Sequence, residues 1–138
     1  MSALYLLDTD VCVFILRRTS SALLERLQAV PLEHQAMSVV TLAELQYGVR
    51  VSTRKQANQD AVDLLLRHLT VLDLTRDAAL HYAEIRADLR QKGQLIGAND
   101  LLIAAHARSL GATVVTNNVK DFGRVEGLAV ENWTIVAQ

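Results

Sequence analysis

What most constrains this chain is a repeated pattern: a short apolar run is cut off by a polar residue, and a stretch with helical spacing follows. Ala3-Leu-Tyr-Leu-Leu7 is too brief for a helix and stops at Asp8, which reads as a buried strand ending in a turn. Similar runs return at Gln35 to Val40, at Val71-Leu72 and at Ala112-Thr-Val-Val-Thr116, with Ala129 to Glu131 as an edge strand. Helical segments fill the intervals. Val11 to Arg18 is the first, and the second starts at a Ser20 or Ser21 cap and is closed by Pro31. Thr41-Leu-Ala-Glu44 has the pattern of a capping box opening a third helix. Leu64, Leu65, Leu66 and Leu69 lie on a longer one. Thr75 to Lys92 carries Ala78, Tyr82, Ile85 and Leu89 on one face, with Gly93 as a stop. Gly97 to Leu110 ends at Gly111, and Asn118 to Val125 is a short last helix. This alternation predicts an α/β fold, a three-layer α/β/α sandwich around a parallel sheet of about four to five strands. One domain over residues 1–138 accounts for the length. In such sheets, sites form at the carboxyl ends of strands where the order reverses.

Composition narrows the function. Hydrophobic residues are 51% of the 138, enough for one core and slightly more than a lone domain needs, which points to a protein partner. Fourteen Lys and Arg against fifteen Asp and Glu give a net charge of -1, so nucleic acid is not held by overall charge. Two Phe, three Tyr and one Trp leave little for a base-stacking platform. Cys12, the only cysteine, has no internal disulfide partner and sits in an apolar run as a small core residue. With no apolar stretch long enough to span a bilayer and no secretory leader pattern, the expectation is a cytoplasmic protein.

The chemistry lies in the acids. Glu25, Glu84 and Asp88 stand beside arginines on helix faces, where solvent screens them. Asp8, Glu44, Asp100 and Asp121 differ, because each follows or interrupts an apolar segment where charge is costly. Local roles exist for all of them: a helix cap at Asp8, the capping box at Glu44, first-turn acids at Asp100 and Asp121. If they converge, two charges about 4 Å apart cost on the order of 4 kcal/mol at an effective dielectric near 20. A divalent cation relieves that repulsion, and oxygen-only ligands select a hard one, Mg²⁺ or Mn²⁺. Such a cation supplies what phosphodiester hydrolysis needs without a nucleophilic side chain. No G-x-S-x-G, P-loop or G-x-G-x-x-G competes with that reading. His34, His68, His81 and His106 lack metal-ligand spacing and read as surface or half-buried residues.

Four segments carry a resemblance: Leu7-Asp8-Thr9-Asp10, Thr41-Leu-Ala-Glu44-Leu-Gln-Tyr-Gly48, Asn99-Asp100-Leu-Leu-Ile-Ala-Ala105 and Val114-Val-Thr-Asn-Asn-Val-Lys-Asp-Phe122. In this order they resemble the PIN-domain ribonucleases, and among these the VapC toxins of bacterial toxin–antitoxin pairs. The resemblance implies a Mg²⁺- or Mn²⁺-dependent endoribonuclease that cuts structured RNA, transfer or ribosomal, and so stops translation. It makes Asp8, Glu44 and Asp100 the metal-binding carboxylates and Thr9 and Thr116 the hydroxyls that buttress them. Many members carry a further acid where this chain has Asn118, so Asp121 is the candidate to complete the catalytic set. Where Asn is frequent after the first threonine, this chain has Asp10, which adds charge to the rim.

The resemblance also implies a VapB-type antitoxin that covers apolar surface and pushes a basic side chain toward the acids. Homodimers, heterotetramers or higher assemblies with antitoxin are expected, with operator DNA reached only through the antitoxin. Arg50, Arg54 and Lys55, and on another helix Arg86 and Arg90 with Lys92, are candidate RNA contacts that also read as solvated faces. Two alternatives stand beside this. Asp8-Thr-Asp10 after a strand mimics the nucleophile motif of haloacid dehalogenase-type phosphatases, although the later lysine and paired acids are poorly matched. Asn118 leaves open a catalytically silent module that only binds RNA or a partner.

Overall fold

The computed structural model describes residues 3–18 and 20–135. Its strands are β1 (Tyr5–Leu7), β2 (Gln35–Ser38), β3 (Thr70–Leu72), β4 (Thr113–Val115) and β5 (Ala129–Glu131). They form one parallel sheet in the order β3-β2-β1-β4-β5. The chain winds outward from β1 through β2 to β3, then crosses to β4 on the other side of β1. The order therefore reverses between β1 and β4, and the crevice at their carboxyl ends is where a site forms.

Side chains alternate across each strand and sort into two cores. Leu6, Ala36 and Val114 pack against Ile85, Leu89, Leu101 and Ala104, from α5 (Arg76–Gln91) and α6 (Ala98–Leu110). Leu7, Met37 and Val115 face the other way, onto α1 (Thr9–Arg17), α2 (Ser21–Ala29), α3 (Val39–Val51) and α4 (Lys55–Leu66), through Val11, Leu23, Leu45 and Leu65. Burial on both faces explains why the strands are apolar runs with no polar stripe. Trp133, fully buried, closes the second core, its ring 5.0 Å from that of Tyr5. Cys12 lies in the same core, where burial pushes its thiol pKa well above the ordinary value. Among the described residues, no helix is long and apolar enough to cross a membrane.

Several boundaries move for identifiable reasons. Ser20 caps α2, its hydroxyl accepting from the Leu23 amide at 3.2 Å, and Gly93 and Gly111 take positive φ of 66° and 64° after α5 and α6, as expected. The second strand, expected to reach Val40, stops at Ser38. There the serine hydroxyl accepts from the Val40 amide at 3.1 Å and starts α3 at Val39, so the cap overrides two β-branched valines. The Thr41–Glu44 capping box is thus not formed, since Thr41 lies inside the helix. The helix bearing Leu64 to Leu66 ends there, and Leu69 lies beyond it, still buried. The last helix, α7, contracts to Val119–Phe122.

Candidate active site

Asp8 is the first residue after β1. Its backbone amide continues the sheet by donating to the Val115 carbonyl at 2.9 Å, and it stands at the N-cap of α1. The expected helix-cap bond is absent, because the carboxylate turns toward β4 instead. Oδ2 accepts from the Thr116 hydroxyl at 2.8 Å, while Oδ1 is buried with no partner. The residue is 5% exposed. Burial, then the charge of Asp10, pushes its pKa up to about 7, against the pull of the Thr116 bond; Asp100 adds a smaller push in the same direction.

Three of the neighbouring acids, Asp10, Glu44 and Asp121, accept hydrogen bonds of their own. Asp10, in the first turn of α1, accepts from the Asn117 amide at 3.1 Å, and burial raises its pKa as well. Glu44, on α3, accepts from the Thr9 hydroxyl at 2.6 Å, and that hydroxyl stands 3.3 Å from the hydroxyl of buried Thr41. Asp100, in the first turn of α6, has its pKa raised by burial, with the charges of Glu44, Asp121 and Asp10 adding to it. Asp121, on α7, accepts from Asn118 Nδ2 at 3.1 Å and lies 3.7 Å from Arg124. The Thr116 hydroxyl joins the two sides, since it also accepts from the Asn118 amide at 3.0 Å.

Five carboxylates thus stand near enough for their charges to act on one another. Among the described residues, no Lys or Arg forms an ion pair with Asp8, Asp10, Glu44 or Asp100. As the side chains lie, no three acids, histidines or cysteines among the described residues enclose an ion. Asp8, Asp10, Glu44 and Asp121 are each drawn onto a hydroxyl or amide, as repelling groups are when protein donors are the only relief. The all-oxygen donor set, with the unpaired Asp8 Oδ1 inside it, fits a hard divalent cation.

The candidate RNA contacts lie apart. Arg50 at the end of α3 and Arg54 and Lys55 at the start of α4 are exposed. Arg86 and Arg90 are exposed on α5, where the Arg86 guanidinium sits 5.9 Å over the Tyr82 ring, and Lys92 is tied to Asp88 and Glu126. Neither group bonds to the acids among the described residues. Three features are not foreseen from sequence. Thr41 shares a helix face with Glu44, a signal visible in their i,i+3 spacing. Asn117 supplies a backbone amide and leaves no side-chain signal. His106, expected at the surface or half-buried, is 0% exposed, its ring turned against Ser38 at the end of β2.

A groove of about 230 Å³ runs between α1, α3 and α4, with Thr9, Glu44, Arg17 and Asn58 as its polar lining and Val13, Leu16, Leu45 and Val49 along its walls. Past Leu16 and Ala61 it meets a depression of about 340 Å³, which continues over Ile15, Leu24 and Leu65 into an apolar one of about 510 Å³ that Leu27 also lines.

Comparison with known proteins shows the family and the fold. The PIN domain family matches residues 5–128. "Ribonuclease VapC2" of Rickettsia felis is 42% identical, over 94% of this chain and 98% of its own length. "tRNA(fMet)-specific endonuclease VapC" of Salmonella typhimurium is 37% identical, over 94% of this chain and 97% of the relative. Among solved structures, VapBC2 of Rickettsia felis bound to a DNA fragment from its promoter superposes with a TM-score of 0.88 at 41% identity, covering 94% of this chain and 98% of that one. DNA-bound VapBC of Salmonella typhimurium superposes with a TM-score of 0.90 at 36% identity, covering 96% and 99%.

Proposed function

This chain belongs to the PIN-domain family and, within it, to the VapC ribonucleases, and from that premise we propose that it is the toxin of a type II toxin–antitoxin pair, an endoribonuclease that cuts structured RNA and so inhibits translation. Transfer RNA is the favoured substrate class, because relatives 37% identical to this chain are named for tRNA(fMet). PIN nucleases depend on a divalent cation, which we assign as Mg²⁺ or Mn²⁺ on the hardness of the oxygen donors. Residues 1–138 act as a single nuclease domain in the cytoplasm.

The observation that carries the assignment is the buried, unpaired Asp8 Oδ1 among acids where, within the described residues, no Lys or Arg pairs with Asp8, Asp10, Glu44 or Asp100. Asp8, Glu44 and Asp100 would hold the cation, and Asp121 would complete the catalytic set from the far side of the crevice. When bound, the cation supplies polarisation of the scissile phosphodiester and makes water more acidic. The protein's own work is orientation. Thr116 fixes the rotamer of Asp8, Thr9 fixes Glu44, and Asn118 holds Asp121 by its side-chain amide. Arg50, Arg54, Lys55, Arg86 and Arg90 are assigned to drawing in the RNA backbone, since a net charge of -1 leaves that task to local patches.

A VapB-type antitoxin is the partner that fits the apolar groove, which leads from exposed aliphatic surface to Glu44. A segment lying there would bring a basic side chain to the acids and neutralise them. We expect toxin homodimers within a heterotetramer or larger assembly that reaches operator DNA through the antitoxin. Antitoxin-free protein should cut RNA in Mg²⁺ and stop in EDTA, and mapping the 5′ ends of the fragments would identify the RNA. RNA binding that ignores chelator, without cleavage, would favour the silent module instead.

A further inference from the structure

Ser38 and His106 are both fully buried and lie 68 positions apart, yet Ser38 Oγ and His106 Nδ1 stand 2.8 Å apart. Ser38 is the last residue of β2 and the cap of α3; its Oγ already accepts the Val40 amide. A hydroxyl has one hydrogen, and once its oxygen has accepted that amide the hydrogen still needs an acceptor. Nδ1 is the acceptor in reach, so Ser38 donates to an unprotonated Nδ1 and the ring proton sits on Nε2. Nε2 is buried with no hydrogen-bond partner among the described residues, and the Asp73 backbone, just past β3, lies near the ring. Burial lowers the imidazole's pKa, opposed by the nearby Asp73 carboxylate, which agrees with a neutral ring.

The pair therefore pins the first turn of one helix to the middle of another. Glu44 lies six residues after Ser38 on α3, and Asp100 six residues before His106 on α6, each about 9 Å along its helix from the pin. We propose that His106, through Ser38, is a positioning residue that sets Glu44 and Asp100 at the separation their shared cation requires. It touches neither substrate nor cation, and its effect on the chemistry passes through the cap of α3. The proposal rests on the nuclease reading of the site for its effect on rate, but not for the pin itself.

The test compares antitoxin-free wild type with His106→Leu, which fills similar volume without an acceptor, and His106→Asn, whose amide oxygen stands near the place of Nδ1. Ser38→Ala and the Ser38→Ala/His106→Leu double variant complete the cycle. We expect His106→Leu to weaken Mn²⁺ binding, read by calorimetry, by about 5-fold or more and to lower kcat about 10-fold, with KM for RNA within about 2-fold. His106→Asn should recover most of both, Ser38→Ala should match His106→Leu, and the double variant should be no worse than either. Hydrogen exchange over residues 39–45 should quicken in His106→Leu and not in His106→Asn. Mn²⁺ affinity and kcat unchanged in His106→Leu, or His106→Asn as impaired as His106→Leu, overturns the proposal. If His106→Leu fails to fold, Ser38→Ala against His106→Asn decides the same question. Wild-type protein that binds Mn²⁺ but cuts no RNA would defeat the nuclease reading, while hydrogen exchange and Mn²⁺ affinity still judge the pin.

Discussion

At the scale of single residues, Asp8 contributes to the pH response of the metal-free protein, beside Asp10 and Asp100, whose pKa values burial also raises. Its pKa is about 7 in the fold against 3.8 ordinarily, so the folded state holds that proton more tightly than the unfolded chain does. The stabilisation from Asp8 is therefore complete below about pH 4 and is lost as pH rises through about 7. His106 acts with the opposite sense. Its lowered pKa stabilises the fold above its ordinary value of 6.5 and withdraws that support as pH falls. Comparison with Asp8→Asn separates the two. In EDTA at pH 8, denaturant unfolding should find Asp8→Asn more stable than wild type by on the order of 1–3 kcal/mol, and the gap should close toward pH 4. Saturating Mg²⁺ at pH 8 should restore wild type and leave Asp8→Asn unchanged. A gap that is absent at pH 8 would mean that Asp8 carries no buried charge. Asp121 is more exposed and has Arg124 nearby, so Asp121→Ala should lose about 10- to 100-fold in cleavage rate, less than Asp8→Ala. Equal losses would make Asp121 as central as Asp8.

At the scale of elements, two serine caps of the same chemistry separate stability from function. Ser20 caps α2, far from the acids, and Ser38 caps α3, which carries Glu44. Ser20→Ala should cost about 1 kcal/mol in denaturant unfolding and leave cleavage untouched. Ser38→Ala should cost more, because it also leaves buried His106 without its donor, and should lower cleavage as well. Equal effects of the two on cleavage would contradict a special role for the α3 cap. The same two residues show what can be read from sequence. Ser20 precedes an amphipathic run and is legible, whereas Ser38 is hidden in Met37-Ser-Val-Val40, which reads as strand, next to a false capping box at Thr41. Asp8 and Asp100 are legible as charges in apolar surroundings. Their partners are not, since Thr116 meets Asp8 across 108 positions and Thr9 meets Glu44 across 35, distances only the tertiary fold closes. The burial of His106 is equally invisible, because Ala and Ile neighbours suit a half-exposed helix face too.

For the whole molecule, sheet order and groove tie catalysis to inhibition. The crossover at β1 gathers the acids at one end of the sheet, and the four helices on one face leave a groove that runs to that end. Ala61 stands where the groove meets the adjoining depression of about 340 Å³ that leads on to the larger apolar one. Ala61→Glu should therefore weaken capture of the cognate antitoxin in a pull-down while leaving fold and RNA cleavage intact. Undiminished capture would move the antitoxin to another face. The proposed mechanism rests on acids that need a cation more than they need their present hydroxyl and amide partners. Cleavage of transfer RNA by antitoxin-free protein in Mg²⁺, in EDTA and after Mg²⁺ is restored, run beside Asp8→Asn and Asp100→Asn, tests this most directly. The expected result is cutting that stops with chelator, returns with Mg²⁺ and is absent from both variants; cutting that persists in EDTA, or in either variant at the wild-type rate, would contradict it.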